Sequence, residues 1–256
     1  MFDQSPYDIK FDWGIRGARE AAYRKDIIII VDVLSFSSTV TAALQYGANI
    51  YPFPPPINNE AFQYAQEINA ELVVGRAEAI KTGQHSLSPV SFSSADSGKS
   101  FVLCSLNGAA CVEAAKKVPA LLIGSLLNAE AAAHAAMNVR AVTKRNITII
   151  ACGERWENPS DHENELRPGI EDYLGAGAIL SSLTGTFSPE AQICQKTFQA
   201  VNDDLTALIK DCGSGRELIE RGFSEDVSFC TRFNISSTVP LLSNNHFVNF
   251  DLRVKN

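Results

Sequence analysis

Apolar runs and amphipathic stretches alternate along the first two-thirds of the chain. The strongest run, residues 27–33, reads IIIIVDV: five uninterrupted apolar positions, then Asp32. Continuous Ile and Val is what a strand needs when helices cover both faces of its sheet. Shorter runs at 8–11, 49–53, 72–74, 100–104, 121–123 and 147–151 predict further strands. Helical spacing occupies 16–24, 58–69, 107–117, 128–139 and the segment after Val33 to about residue 46. Gly47 stops that second helix, and Pro54-Pro55-Pro56 closes the strand at 49–53. Alternation of this kind predicts parallel strands joined by helical crossovers.

From Pro168 onward the pattern is mostly helical. Pro168 suits the first position of a helix running to 183, and Ser188-Pro189-Glu190 opens another with a cap and an N1 proline. Residues 203–210, 214–221 and 225–232 predict three short helices, and the tail at 238–240 and 246–250 one short strand. Residues 75–98, rich in Ser and Gly, predict the longest irregular loop, of a length usually functional or mobile. The expected fold class is α/β: three layers, α/β/α, with a mostly parallel or mixed sheet and a mainly helical C-terminal third. Residues 1–256 suit one such domain or two closely packed lobes.

Charge and composition limit the partners. Twenty-two Lys+Arg against 29 Asp+Glu give a net charge of −7, unsuited to bulk nucleic-acid or anionic-membrane binding. An anionic small molecule then needs a local gathering of Arg and backbone N–H groups. The longest apolar runs are too short for a bilayer. The start, MFDQSPYDIK, lacks the basic and apolar regions of a secretory signal; a cytoplasmic protein is expected. The six cysteines form no CxxC pair, and the four histidines show no HxH or HxxxH spacing, which argues against zinc. A metal, where used, is expected to be a hard one held by carboxylates and water, namely Mg2+.

Asp32 is the first polar group beyond its apolar run. It therefore falls at the C-terminal edge of the strand, where open α/β sheets bind ligands. Ser35, Ser37, Ser38 and Thr39 follow it as candidate helix caps and anion donors. Three other strand ends repeat this composition: Ser105 with Asn107-Gly108, Gly124-Ser125 with Asn128, and Gly153-Glu154-Arg155. All four ends are expected to converge on one edge of the sheet.

Glu171 and Asp172, in RPGIEDYLGAGAIL, are adjacent acids in the first turn of a predicted helix. They answer either to the helix dipole or to metal ligation and water activation. Gly175 and Gly177 would let that helix approach the sheet closely. Arg76, Arg155 and Arg167 lie in loops at or near the same edge and are candidate anion clamps, since Arg forks match phosphate and sulfonate oxygens. Ser214 and Arg216, in CGSGREL, form a candidate anion-holding helix start. No GxxxxGK[ST], GxSxG or HRD-type motif is present, and the DxDx[TV] motif of the haloacid-dehalogenase phosphatases fails at Leu34.

With those residues placed, the chain resembles the 2-phosphosulfolactate phosphatase family over nearly its whole length. The matching segments are VDVLSFSSTVTAAL at 31–44, SLNGAA at 105–110, GSLLNAEA at 124–131 and ACGERW at 151–156. LRPGIEDYLGAGAI at 166–179, SGRELIERGFSEDV at 214–227 and STVPLL at 237–242 continue the series in order. The family pattern has DVLRATST where this chain has DVLSFSST, so Ser35 stands in place of an arginine. Likewise Ala109 stands in place of a threonine in TTNGT, and Leu87 in place of the asparagine of GNSP. The displaced positive charge is expected at Arg155 or Arg167.

The resemblance implies an α/β fold and a Mg2+-dependent acid phosphatase acting on 2-phospho-3-sulfolactate, a step of coenzyme M biosynthesis. On this reading Asp32, with Glu171 or Asp172, holds Mg2+ and carries the catalysis. Ser37, Ser38, Ser105 and Asn107 bind the phosphate, and Arg155, Arg167, Arg216 and Arg76 hold the remaining charges of a small anionic substrate. A homodimer is expected only from the general frequency of symmetric oligomers. The alternative is a non-catalytic binder of a small phosphate or sulfonate ligand, motivated by the departures at Ser35 and Ala109.

Overall fold

The computed structural model describes residues 4–160 and 165–251. In chain order its elements are β1 (Ile9–Trp13), α1 (Gly14–Tyr23), β2 (Ile27–Val31), α2 (Phe36–Gln45), β3 (Asn49–Phe53), α3 (Asn59–Glu67), β4 (Glu71–Leu72), α4 (Arg76–Thr82), β5 (Ser100–Cys104) and α5 (Gly108–Ala115). They continue with β6 (Leu121–Gly124), α6 (Ala129–Thr143), β7 (Ile147–Ala151), β8 (Glu154–Arg155), β9 (Leu166–Arg167), α7 (Ile170–Leu180), α8 (Pro189–Val201), α9 (Leu205–Asp211), α10 (Gly213–Glu220), α11 (Ser224–Cys230), β10 (Pro240–Ser243) and β11 (His246–Asn249).

A mixed sheet of nine strands runs β1-β7-β2-β6-β10-β11-β3-β5-β4. Its first four strands are mutually parallel, as are its last three. In β2 every residue is fully buried, because alternate side chains meet different helical layers. Ile27, Ile29 and Val31 join the core under α6, α7 and α8. Ile28 and Ile30 join the core formed with α1, α2 and α5. Each such isoleucine contributes roughly 2–3 kcal/mol by leaving water. The α/β/α layering and the helical C-terminal third are as the patterning predicts.

The tail departs from expectation. It folds into a hairpin rather than one short strand, turning at Asn244 and Asn245, whose φ angles of 48° and 69° suit a tight two-residue turn. This hairpin lies in the middle of the sheet: β10 pairs antiparallel with β6, and β11 antiparallel with β3. The expected loop at 75–98 also contains structure, namely α4 and two short 3-10 turns.

Asp32 and Ser105 follow strands five places apart in that order, which in a flat sheet means about 24 Å at ~4.8 Å per strand. Their side chains are nevertheless 3.4 Å apart. The sheet therefore curls, and α2, buried from Phe36 to Leu44, fills the hollow. Phe36 of α2 meets Phe247 of β11 edge-on, with centroids 6.3 Å apart. No described helix is long and apolar enough to cross a membrane.

Candidate active site

Three of the four strand ends converge. At the end of β2, Asp32 is almost wholly buried and its carboxylate is held on both sides. Oδ1 accepts the Phe36 N–H at 3.1 Å, and Oδ2 accepts the Gly108 N–H at 2.9 Å and the Ser105 hydroxyl at 3.4 Å. Asp32 thus braces the turn into α2 and lines the cleft at once. Burial pushes its carboxyl up to about 6, with the charge of Glu171 adding to the shift, against the pull of those N–H groups.

Gly108 makes this approach feasible. A Cβ built there would lie 2.8 Å from Asp32 Oδ2 and closer still to the Phe36 ring. Gly108→Ala is therefore expected to push α5 off Asp32, lowering the melting temperature by several degrees. Phosphate release should fall with it; a variant matching the parent in both measurements would contradict the close approach.

At the end of β7 the chain turns into a small antiparallel ribbon, β8 with β9, in which Glu154 stands opposite Arg167. Glu154 Oε2 accepts a hydrogen bond from Asn107 Nδ2 at 2.8 Å. Burial, then the charges of Asp32 and Glu171, push the Glu154 carboxyl up to about 7; Arg167 pulls the other way. Asp172, buried in the first turn of α7, accepts the Val33 N–H at 2.7 Å through Oδ1 and the Gly153 N–H at 2.8 Å through Oδ2. It ties the ends of β2 and β7 together. Burial, and then Asp32 and Glu171, raise its carboxyl well above the ordinary range. Glu171 is buried beside them, with one thiol contact from Cys212 at 3.3 Å.

A cleft of about 310 Å3 opens above this cluster, lined among others by Asp32, Arg76, Ser105, Asn107, Glu154 and Ser214. Arg76 enters from α4: Nη2 donates to Ser35 Oγ at 2.7 Å, while Nε pairs with Asp226 at 2.9 Å. Arg167 donates to Ser214 Oγ at 3.2 Å and stands 5.9 Å over the Trp156 ring. Among the described residues no carboxylate pairs with it within salt-bridge distance, whereas Arg155, Arg216 and Arg221 have Glu165, Asp211 and Glu217.

The description "2-phosphosulpholactate phosphatase" belongs to the family profile that matches residues 16–245. The chain belongs to that family. Its relatives include proteins named "Probable 2-phosphosulfolactate phosphatase" from three thermophiles. That of Carboxydothermus hydrogenoformans is 28% identical over 220 residues, 83% of this chain and 84% of the relative. The Thermotoga maritima protein is 28% identical over 224 residues, covering 86% and 90%. The Thermus thermophilus protein is 27% identical over 225 residues, covering 85% and 88%. The family is one of phosphoric monoester hydrolases, as the motif resemblance implies.

Of the residues singled out from the sequence, Asp32, Ser105, Asn107 and Arg76 line the cleft, while Glu171, Asp172 and Arg167 lie near it and off its lining. Ser37 and Ser38 do not reach the cleft. Both are fully buried: Ser37 Oγ accepts the Asp32 N–H and donates to the Ile30 carbonyl, and Ser38 Oγ donates to the Val33 carbonyl. They brace the turn that presents Asp32. Arg216 turns away, bonding the carbonyl and carboxylate of exposed Asp211. Arg155 lies on the far side of Asn107, donating to the Leu106 carbonyl at 2.9 Å.

The fourth strand end is closed. Ser125 and Asn128 cap each other, and Asn128 Nδ2 reaches the carbonyl of Thr238. Gly175 packs on the sheet at Val31 and Val33 as expected, but Gly177 packs on α8, at Cys194 and Phe198. The cation that meets Ser35 is Arg76, reached through space from a segment expected to be loop. Glu154 also lines the cleft, although the sequence assigns it no role beyond its place in the Gly153-Glu154-Arg155 strand end.

Proposed function

We propose that the chain hydrolyses a small anionic phosphomonoester, 2-phospho-3-sulfolactate or a related phospho-hydroxy acid, with Mg2+ as its cofactor. The observation that carries this is a cleft lined together by the acids Asp32 and Glu154, the cation Arg76 and the donors Ser105 and Asn107, with burial and neighbouring acids pushing the two carboxyls up to about 6 and about 7. The donor set suits Mg2+. Of the four crowded acids, Asp172 spends its oxygens tying β2 to β7 away from the cleft lining, while Asp32, though also held by backbone N–H groups, lines the cleft and Glu171 meets the Cys212 thiol; these two would hold the cation. No described group of three or more His, Cys, Asp or Glu side chains is placed to hold a metal ion, and Mg2+ commonly takes only one or two carboxylates, with waters and substrate phosphate completing its shell. When bound, it would neutralise phosphoryl charge.

The side chains supply the remaining chemistry. Ser105, Asn107, Arg76 and Arg167 bind and orient the phosphoryl group, Arg167 having no carboxylate within salt-bridge distance among the described residues. Water forms a bond to phosphorus as the bond from phosphorus to the substrate oxygen breaks. Glu154 in its protonated form gives its proton to that leaving oxygen, and the proton that the attacking water sheds on bonding to phosphorus passes through solvent to reprotonate Glu154. Family membership does not favour the non-catalytic alternative.

The deciding measurement is phosphate release from 2-phospho-3-sulfolactate and a panel of phosphorylated hydroxy acids. Release is expected with Mg2+, lost on treatment with EDTA and restored by added Mg2+. No release from any member of the panel would refute the phosphatase reading, while release indifferent to EDTA would refute the metal.

A further inference from the structure

The Asn107–Glu154 hydrogen bond is a wall between two clefts. On its other side lies a second one, of about 410 Å3, lined among others by Trp13, Arg16, Arg19, Asn107, Glu154 and Arg155. In a chain of net charge −7 this cleft is locally cationic. Its arginines, Arg16, Arg19 and Arg155, face only Glu154 and Glu165 among acids on its lining, and Glu154 is partly protonated near neutral pH. Arg16 is drawn off by Glu20 at 2.7 Å and Arg155 by Glu165 at 3.2 Å. Among the described residues Arg19 has no such partner, so its fork is available to a ligand.

We propose that this second cleft is the subsite for the substrate's second acidic group, a carboxylate or sulfonate, with Arg19 as its specificity-determining residue. The inference rests on the phosphatase reading above and follows from where the leaving oxygen must lie. Glu154 can protonate that oxygen only when adjacent to it. The oxygen is bonded to the substrate's carbon skeleton, so with the phosphoryl group on the Asp32 side the skeleton emerges around Glu154. There it meets the arginine-lined cleft, which also borders Asn107 and Glu154. A short-chain acid so placed sets its free carboxylate or sulfonate against Arg forks, whose planar geometry matches those oxygens. A phosphomonoester without a second acid leaves the cleft's charge unanswered.

The test compares 2-phospholactate with ethyl phosphate on the parent enzyme, Arg19→Ala and Arg19→Lys. Arg19→Ala is expected to raise KM for 2-phospholactate about tenfold relative to ethyl phosphate, with little change in kcat, and Arg19→Lys to recover part of the loss. Equal effects on the two esters, or none on either, overturn the subsite while leaving the phosphatase reading in place. Should the parent hydrolyse neither ester nor 2-phospho-3-sulfolactate, that reading fails by itself. Calorimetric titration with malate then decides the subsite: binding that is lost in Arg19→Ala supports it, and binding indifferent to the substitution overturns it.

Discussion

Asp32→Asn is expected to lower phosphate release by roughly 10^3-fold, about 4 kcal/mol of transition-state stabilisation, in a protein that still folds. The side chain keeps its shape, and an amide oxygen can still accept the Phe36 N–H that caps the turn into α2. What disappears is the negative charge in the cleft floor. Near-parental turnover in this variant would refute the role of Asp32.

A second readout separates charge from geometry. Folding raises the carboxyls of Asp32 and Glu154 above their unfolded values, to about 6 and about 7. The folded state thus binds protons more tightly than the unfolded one, and this contribution is present at low pH and lost as pH rises through those values. The melting temperature of chelator-treated protein should therefore fall between pH 5 and pH 8, and fall less in Asp32→Asn. An identical slope in both proteins would show that Asp32 is not the frustrated charge.

Glu154→Gln is expected to cost about 10^2- to 10^3-fold in kcat with the fold and the cleft wall retained, because a glutamine oxygen can still accept from Asn107 Nδ2. Its diagnostic is the pH profile. With protonated Glu154 as the acid, the parent's activity should decline as pH rises through about 7, and the residual activity of the glutamine variant should lack that limb. A variant keeping both the parental rate and the alkaline decline would remove Glu154 from the chemistry. A leaving group that needs no protonation, such as p-nitrophenolate, should shrink the difference between the two proteins.

Much of the scaffold is legible because burial on both faces leaves its mark on composition. The runs at 49–53, 100–104 and 147–151 coincide with β3, β5 and β7, and the pyramid of isoleucines before Asp32 is β2. The rest depends on contacts that leave no local period. The central place of the tail hairpin rests on single register pairs, Leu241 with Leu122 and Phe247 with Ile50, which no alternation of side chains specifies. β8 and β9 are two residues each, too short to carry a pattern, yet they set Glu154 beside Arg167. The hydroxyls after Asp32 read as ligand donors, but with Ser37 and Ser38 fully buried they serve the turn instead. Arg76 shows the same limit from the other direction: its match to Ser35 spans 41 positions of sequence.

The hairpin also orders events during synthesis. Residues 240–249 leave the ribosome after every other strand of the sheet, and until they do, β6 and β3 each present an unpaired edge of main-chain donors and acceptors. The two parallel halves share the core that α1, α2 and α5 cover. Only the late hairpin stitches them, and only the stitched, curled sheet brings Ser105 and Gly108 onto Asp32. A nascent chain stalled short of the hairpin would thus hold two sticky half-sheets and no assembled cleft, a species that chaperones should recognise and that aggregates readily.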